Sequence, residues 1–198
     1  LLQYHLEALA EAGITDVIIN LAYLGEKIRA FAKDGATYGL KICYSDEPEP
    51  LETAGALLNA LDQLGTEPFL LVNGDVWTDY PLSKLAEYQL TEGEDAHLIL
   101  VPNPDFHPNG DFSTNAAGKL ENNPQLEKFT FAGVSLIHPR LIRDYPEKRP
   151  KFPLGEVFRH AIERNRISAE IYRGSWSDVG TPQRLAQLNA QLTPNREK

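Results

Sequence analysis

Cysteine is nearly absent from this 198-residue chain: Cys43 stands alone, which excludes an intrachain disulfide. Its place in the apolar-alternating "LKICYS" suggests a buried small residue in a reducing compartment. Positive charge is also scarce. Lys and Arg number 19 against 28 Asp and Glu, giving a net charge of -9 with no basic block, so binding along nucleic-acid backbones is disfavoured. No apolar run approaches the ~20 residues that span a bilayer, and no basic segment leads into a signal-like apolar core. A cytoplasmic location with no membrane partner is the expectation, and the oligomeric state is left open. His5, His97, His107, His138 and His160 never fall into a close ligand pattern such as HxxxH, which disfavours a zinc site. There is no fixed-period repeat, and low complexity is confined to a polar tail after Pro194.

What is present is an alternation of strand and helix patterns in a length suited to one well-buried core. "LLQYHLEALAEAG" reads as a helix ended by Gly13, "TDVIIN" as a buried strand, and "GEKIRAFAKDGATYG" as a helix. "LKICYS" gives a second strand, "AGALLNALDQLG" a helix, "PFLLVNGDVW" a strand, "YPLSKLAEYQLTEG" a helix and "DAHLILVPNP" a further strand. Such units predict an α/β fold, a Rossmann-like and mostly parallel sheet covered by helices. From Gly110 the texture changes to short strands joined by Gly and Asn turns, expected as an antiparallel annex. "LGEVFRHAIERN" is a helix, "ISAEIYRGSWSDVGT" strands, and "PQRLAQLNAQL" a closing helix with Thr181 at its cap and Pro182 at its first position.

Three stretches carry possible chemistry. "FLLVNGDVWTD" ends an apolar strand in Asn73, Gly74 and Asp75, where ligands of open α/β sheets bind; a metal ligand and an Asx turn or helix cap are both open readings. In "GSWSDVGTPQRL", Asp178 is either a second hard oxygen ligand or the residue that orders the last turn. In "EPEPLETAGALLNAL", Thr53 and Gly55 precede a helix whose first N–H groups suit an anion or the edge of a base; a plain N-cap by Thr53 is the alternative. Asp79 reads as a helix cap, Ser135 as a strand residue, Arg164 and Arg166 as a solvated helix end, and Trp176 as packing beneath the Asp178 turn.

Taken in order, "LLQYHLEALAEAGITDVIIN", "EPLETAGAL", "FLLVNGDVW", "FTFAGVSLIHP" and "WSDVGTPQRL" resemble the sugar-1-phosphate nucleotidyltransferases, the nucleotide-sugar pyrophosphorylases, over residues 1 to about 192. The resemblance implies a single nucleotide-diphospho-sugar transferase domain over 1–198 that joins a nucleoside triphosphate to a sugar 1-phosphate and releases pyrophosphate. It implies that Asp75 and Asp178 carry Mg2+. Glu52, Thr53 and Gly55, with Asn73 and Gly74, match the nucleotide side, although the common form has Gly where this chain has Glu52. Asn103, Gly110, Asp111, Phe112 and Gly133 match the sugar side. Among the branches, the sequence looks most like the enzymes that use UTP and N-acetylmuramate 1-phosphate in cell-wall recycling, with mannose-1-phosphate guanylyltransferase-like enzymes next.

The family pattern also has a first strand, a glycine-rich loop around the triphosphate and a Lys in a "PKP" segment, none of which this sequence shows. The expectation is an N-terminally incomplete domain lacking the usual first strand, active at full length and inactive or poorly folded when begun at Leu1. A non-catalytic nucleotide-sugar binding module remains the alternative from another class.

Overall fold

The computed structural model describes residues 1–193; the polar tail expected after Pro194 lies outside them. The elements run α1 (Leu2–Glu11), β1 (Asp16–Leu21), α2 (Gly25–Ala32), a 3-10 turn (Ala36–Tyr38), β2 (Lys41–Asp46), α3 (Glu52–Asn59), α4 (Leu61–Leu64), β3 (Phe69–Val72), β4 (Val76–Thr78) and α5 (Leu82–Ala86). They continue with β5 (Ala96–Val101), β6 (Phe112–Thr114), β7 (Leu120–Glu121), β8 (Lys128–Ile137), α6 (Arg140–Arg143), α7 (Leu154–Ile162), β9 (Ile167–Ile171), β10 (Trp176–Asp178) and α8 (Pro182–Leu192).

The expected mostly parallel sheet is overturned. Among the described residues only β1–β2 and β5–β9 pair in parallel. β3–β8, β5–β8, β6–β8, β6–β7 and β4–β10 are all antiparallel. The stretch read as an annex contains β8, the long central strand, with β3 paired to it over Val134–Ile137 and β5 over Ser135–Ile137 and again at Thr130 and Phe131. Strand direction was lost because β5 and β8 are buried along almost their whole length. A strand covered on both faces reads as one apolar run whichever way its neighbour points.

Alternation along β5 divides the core. Leu98 and Leu100 join Leu57, Phe152 and the α7 side chains on one face, while Ile99 and Val101 join Leu82, Leu85 and Val134 on the other. In α7, Leu154, Val157, Phe158, Ala161 and Ile162 are buried, the i, i+3, i+4, i+7, i+8 stripe of a helix laid on a sheet. A third cluster of Leu6, Ala32, Leu40 and Ile42 holds α1 and α2 to the β1–β2 pair. There the pleat corrects a second expectation: Ile42 faces that cluster, so Cys43 next to it is exposed. Thr181 caps α8 as expected, its hydroxyl accepting from the Arg184 N–H with Pro182 following. No helix among the described residues is long and apolar enough to cross a membrane.

Candidate active site

The site is organised by an irregularity in β8. Its register with β5 shifts between Leu98 and Leu100, and Gly133 within the shifted stretch has φ +73°. A side chain there would strike the Asn73 amide and Val76, both under 3.0 Å from a Cβ, so both the left-handed backbone and the close approach call for glycine. The bulge exposes two carbonyls that pin the two carboxylate-bearing segments. Asn73 N–H donates to the Gly133 carbonyl at 2.8 Å, and the Trp176 indole N–H donates to the Ala132 carbonyl at 2.9 Å.

From those anchors β4 and β10 pair antiparallel, with Val76 opposite Asp178, and the Val179 N–H donates to the Asp75 carbonyl at 2.7 Å. Asp75 and Asp178, 103 positions apart in sequence, therefore meet. A Cβ on Gly180 would lie 3.0 Å from Asp178 Oδ1 and 3.8 Å from Asp75 Oδ2, so both carboxylates converge on one point that this glycine leaves open. Asp178 is held by the Gly180 N–H at 2.8 Å and by Arg184 Nη1 at 3.1 Å. Asp79 does not cap a helix: Pro81 precedes α5, and Asp79 accepts from Tyr172 Oη and the Ser175 N–H, locking the entry to β10. Burial works against its charge, but these donors prevail and hold Asp79 below the usual carboxylate range. Burial, reinforced by Asp79, pushes Tyr172 up to about 12.

A groove of about 1060 Å³ runs between β1 and β3. Among the described residues β1 pairs only with β2 and β3 only with β8, so each has one edge free of strand partners. Asn20, Glu52, Thr53, Asn73 and Gly74 line the groove, and the Asn20 amide reaches the Ala56 carbonyl at 3.4 Å. His5, also on the groove, is half-buried beside Gly74 and Asp75; desolvation lowers its pKa, and its buried Nε2 has no hydrogen-bond partner among the described residues.

Four of the five residues expected on the nucleotide side thus share this wall. Gly55 is the exception. It is buried, and a Cβ there would lie 2.4 Å from the Pro150 carbonyl, so its smallness serves the contact between α3 and the loop before α7. Thr53 is not the cap: α3 opens at Glu52 behind Leu51, without a side-chain cap bond.

Glu52 has φ +60°, a backbone region that favours glycine. Glu52→Gly is expected to raise stability by about 1 kcal/mol in urea unfolding. A simultaneous rise in the KM for nucleotide would mark the carboxylate as a ligand contact rather than a turn residue.

The nucleotidyl transferase family model matches residues 1–195 of this sequence. The N-acetylmuramate alpha-1-phosphate uridylyltransferase of Neisseria meningitidis serogroup B (strain ATCC BAA-335 / MC58) is 40% identical, the match covering 96% of this chain and 84% of that protein. The chain belongs to the nucleotidyl transferase family. It spans about half the length of other family members that it matches: a probable mannose-1-phosphate guanylyltransferase of Oryza sativa subsp. japonica is 30% identical over 90% of this chain and 52% of its own length. A putative glucose-1-phosphate thymidylyltransferase from Bacillus anthracis, crystallised with sucrose, shares the fold with a TM-score of 0.81 at 20% identity, covering 98% of this chain and 84% of that one. HddC from Yersinia pseudotuberculosis does so at 0.76 and 22%, covering 96% and 85%.

In this nucleotidyltransferase the residues expected on the sugar side build a loop. The Asn103 amide donates to the Pro108 and Lys128 carbonyls and its oxygen accepts from Thr130 Oγ1, which ties the loop to β8. Asp111 contacts His107 Nε2 at 3.0 Å and accepts the Phe131 N–H at 2.8 Å. Gly110 has φ +58° and packs against Asn103. Phe112 is 6% exposed and lies edge-on to Phe158 in the core, so any part it plays on the sugar side would be through packing.

Sequence reasoning missed Arg184 and Phe106. The Arg184 guanidinium lies 4.4 Å from the centroid of the Phe106 ring while bonding Asp178. The Thr181 cap fixed the start of α8 and so placed Arg184 in its first turn, but nothing local pointed to the loop across from it.

Proposed function

We propose that this protein joins UTP to N-acetylmuramate 1-phosphate, giving a UDP-sugar and pyrophosphate in cell-wall recycling. The convergence of Asp75 and Asp178 on the open point at Gly180 carries this reading, beside a groove that Glu52, Thr53, Asn73 and Gly74 help to line. The choice of UTP and of this sugar is supported by the 40% identity to the Neisseria enzyme, against 30% for the rice guanylyltransferase.

A phosphate oxygen of the sugar 1-phosphate attacks the α-phosphorus of UTP, a new P–O bond forms, and the bond to the departing pyrophosphate breaks. No enzyme nucleophile is required, so positioning and electrostatics carry the step. Asp75 and Asp178 offer hard carboxylate oxygens facing one point, a donor set that suits Mg2+ with phosphate and water completing its shell. No group of three or more His, Cys, Asp or Glu gathers among the described residues, so those two would be the protein's share. Bound there, Mg2+ would neutralise charge developing on the phosphates. Glu52, Thr53, Asn73 and Gly74 would line the nucleotide, and the 103–111 loop with Gly133 would face the sugar.

The test is pyrophosphate release by the full-length protein, with UTP, GTP, CTP and dTTP each offered against several sugar 1-phosphates. The expected maximum is UTP with N-acetylmuramate 1-phosphate. A preference for GTP with mannose 1-phosphate would instead make it a guanylyltransferase, and nucleotide-sugar binding without turnover would make it a binding module.

A further inference from the structure

Asp178 is already paired. Arg184 Nη1 lies 3.1 Å from Asp178 Oδ2, and Arg184 Nη2 lies 3.4 Å from the open point at Gly180 on which both carboxylates converge. Two negative charges and one positive charge therefore share the site. The guanidinium is held from its other side by the Phe106 ring, itself 55% exposed at the tip of the 103–111 loop. An aromatic face stabilises a cation laid over it, so the loop keeps the arginine on the carboxylate.

A purely structural role for this pair is hard to sustain. The first turn of α8 already has its cap in the Thr181 hydroxyl, which takes the Arg184 backbone N–H. The arginine side chain is 26% exposed and that of Asp178 30%, a setting in which an ion pair adds little to stability. What the pair does change is the availability of Asp178 Oδ2.

We propose that Arg184 is the resident cation of the two-carboxylate site: a divalent ion must displace it from Asp178, and Phe106 holds it in place until then. This rests on the reading of Asp75 and Asp178 as metal ligands. Displacement frees a guanidinium beside the incoming phosphates, a group suited to a phosphate oxygen. It also releases the ring of the sugar-side loop from the metal-side helix, so that filling one half of the site loosens the other.

The test measures Mn2+ binding to the full-length protein without substrate, from the electron paramagnetic resonance signal of the free ion. Removing a competing positive charge is expected to tighten binding, so R184Q should lower the Kd at least ~3-fold. R184K, which keeps the charge, should return it toward the wild-type value. F106A, which keeps the arginine but removes its ring, should shift the Kd in the same direction as R184Q by less. Circular dichroism checks that each variant is folded; should R184Q fail there, an unchanged Kd in F106A overturns the proposal by itself. An R184Q Kd equal to or weaker than wild type, while D75N removes binding, overturns the role of Arg184 and leaves the two-carboxylate site standing. Mn2+ binding unaffected by D75N removes the metal reading and this inference together.

Discussion

Asp75→Asn is expected to lower the rate of pyrophosphate release by at least ~100-fold while leaving the fold intact. The substitution keeps the size and shape of the side chain and removes its charge. The backbone links that hold the turn, Asn73 N–H to the Gly133 carbonyl and Val179 N–H to the Asp75 carbonyl, do not involve the side chain. The Asp75 side chain itself makes no hydrogen bond among the described residues, so the exchange breaks no structural contact. The effect should therefore fall on turnover and on the divalent-ion concentration needed for half-maximal rate, with the urea midpoint unmoved. Asp178→Asn should be as damaging to rate but is the less clean probe, because Asp178 also pairs with Arg184 and accepts the Gly180 N–H. A D75N rate within a few-fold of wild type would sink the assignment of the carboxylate.

Much of this was legible in the sequence because it rests on local rules. Asp75 at the end of an apolar strand, Thr181 and Pro182 opening the last helix, and the α7 stripe each follow from a few adjacent residues, and each is where those residues placed it. What failed required knowledge of a partner distant in the chain. Gly55 reads as a glycine on the nucleotide side until the Pro150 carbonyl is seen against it, and nothing beside Phe112 in sequence announces that Phe158 packs edge-on to its ring. Strand direction was lost for the same reason, since β8 takes its meaning from β3 and β5, more than 25 residues upstream. Asp178 could be weighed as a second ligand from its own stretch, but that stretch reads more readily as a turn and only the resemblance favoured the ligand; it is the bulge at Gly133 that brings it to Asp75.

Arg166 gives the other large prediction, because it was read as part of a solvated helix end and instead closes an ion cluster. Asp95, 5% exposed at the start of β5, accepts from Arg140 Nε at 2.5 Å and from Arg166 Nη2 at 2.7 Å, with Arg166 Nε bonding its second oxygen. The Asp95 N–H donates to the Arg166 carbonyl and its own carbonyl accepts the His138 N–H, so the residue joins β5, the start of α6 and the chain entering β9. Asp95→Ala would leave two guanidinium groups without their shared carboxylate, next to a β5 that is buried on both faces. The arginine side chains are about a third exposed, 29% and 36%, and water can partly replace the lost partner. The loss should therefore lie between that of a surface pair and a fully buried one, about 2–3 kcal/mol in urea unfolding at neutral pH. The pH dependence has a fixed sign. Burial opposes the charge, but the two arginines outweigh it and lower the Asp95 pKa in the folded state. A carboxylate with a depressed folded pKa binds fewer protons folded than unfolded, so its contribution is present above the unfolded value of about 3.9 and is lost as pH falls through the folded one. Wild type and D95A should accordingly differ most above about pH 4 and converge in more acidic solution. A constant gap between them down to the acid limit would mean that packing, not the paired charge, is what Asp95 contributes.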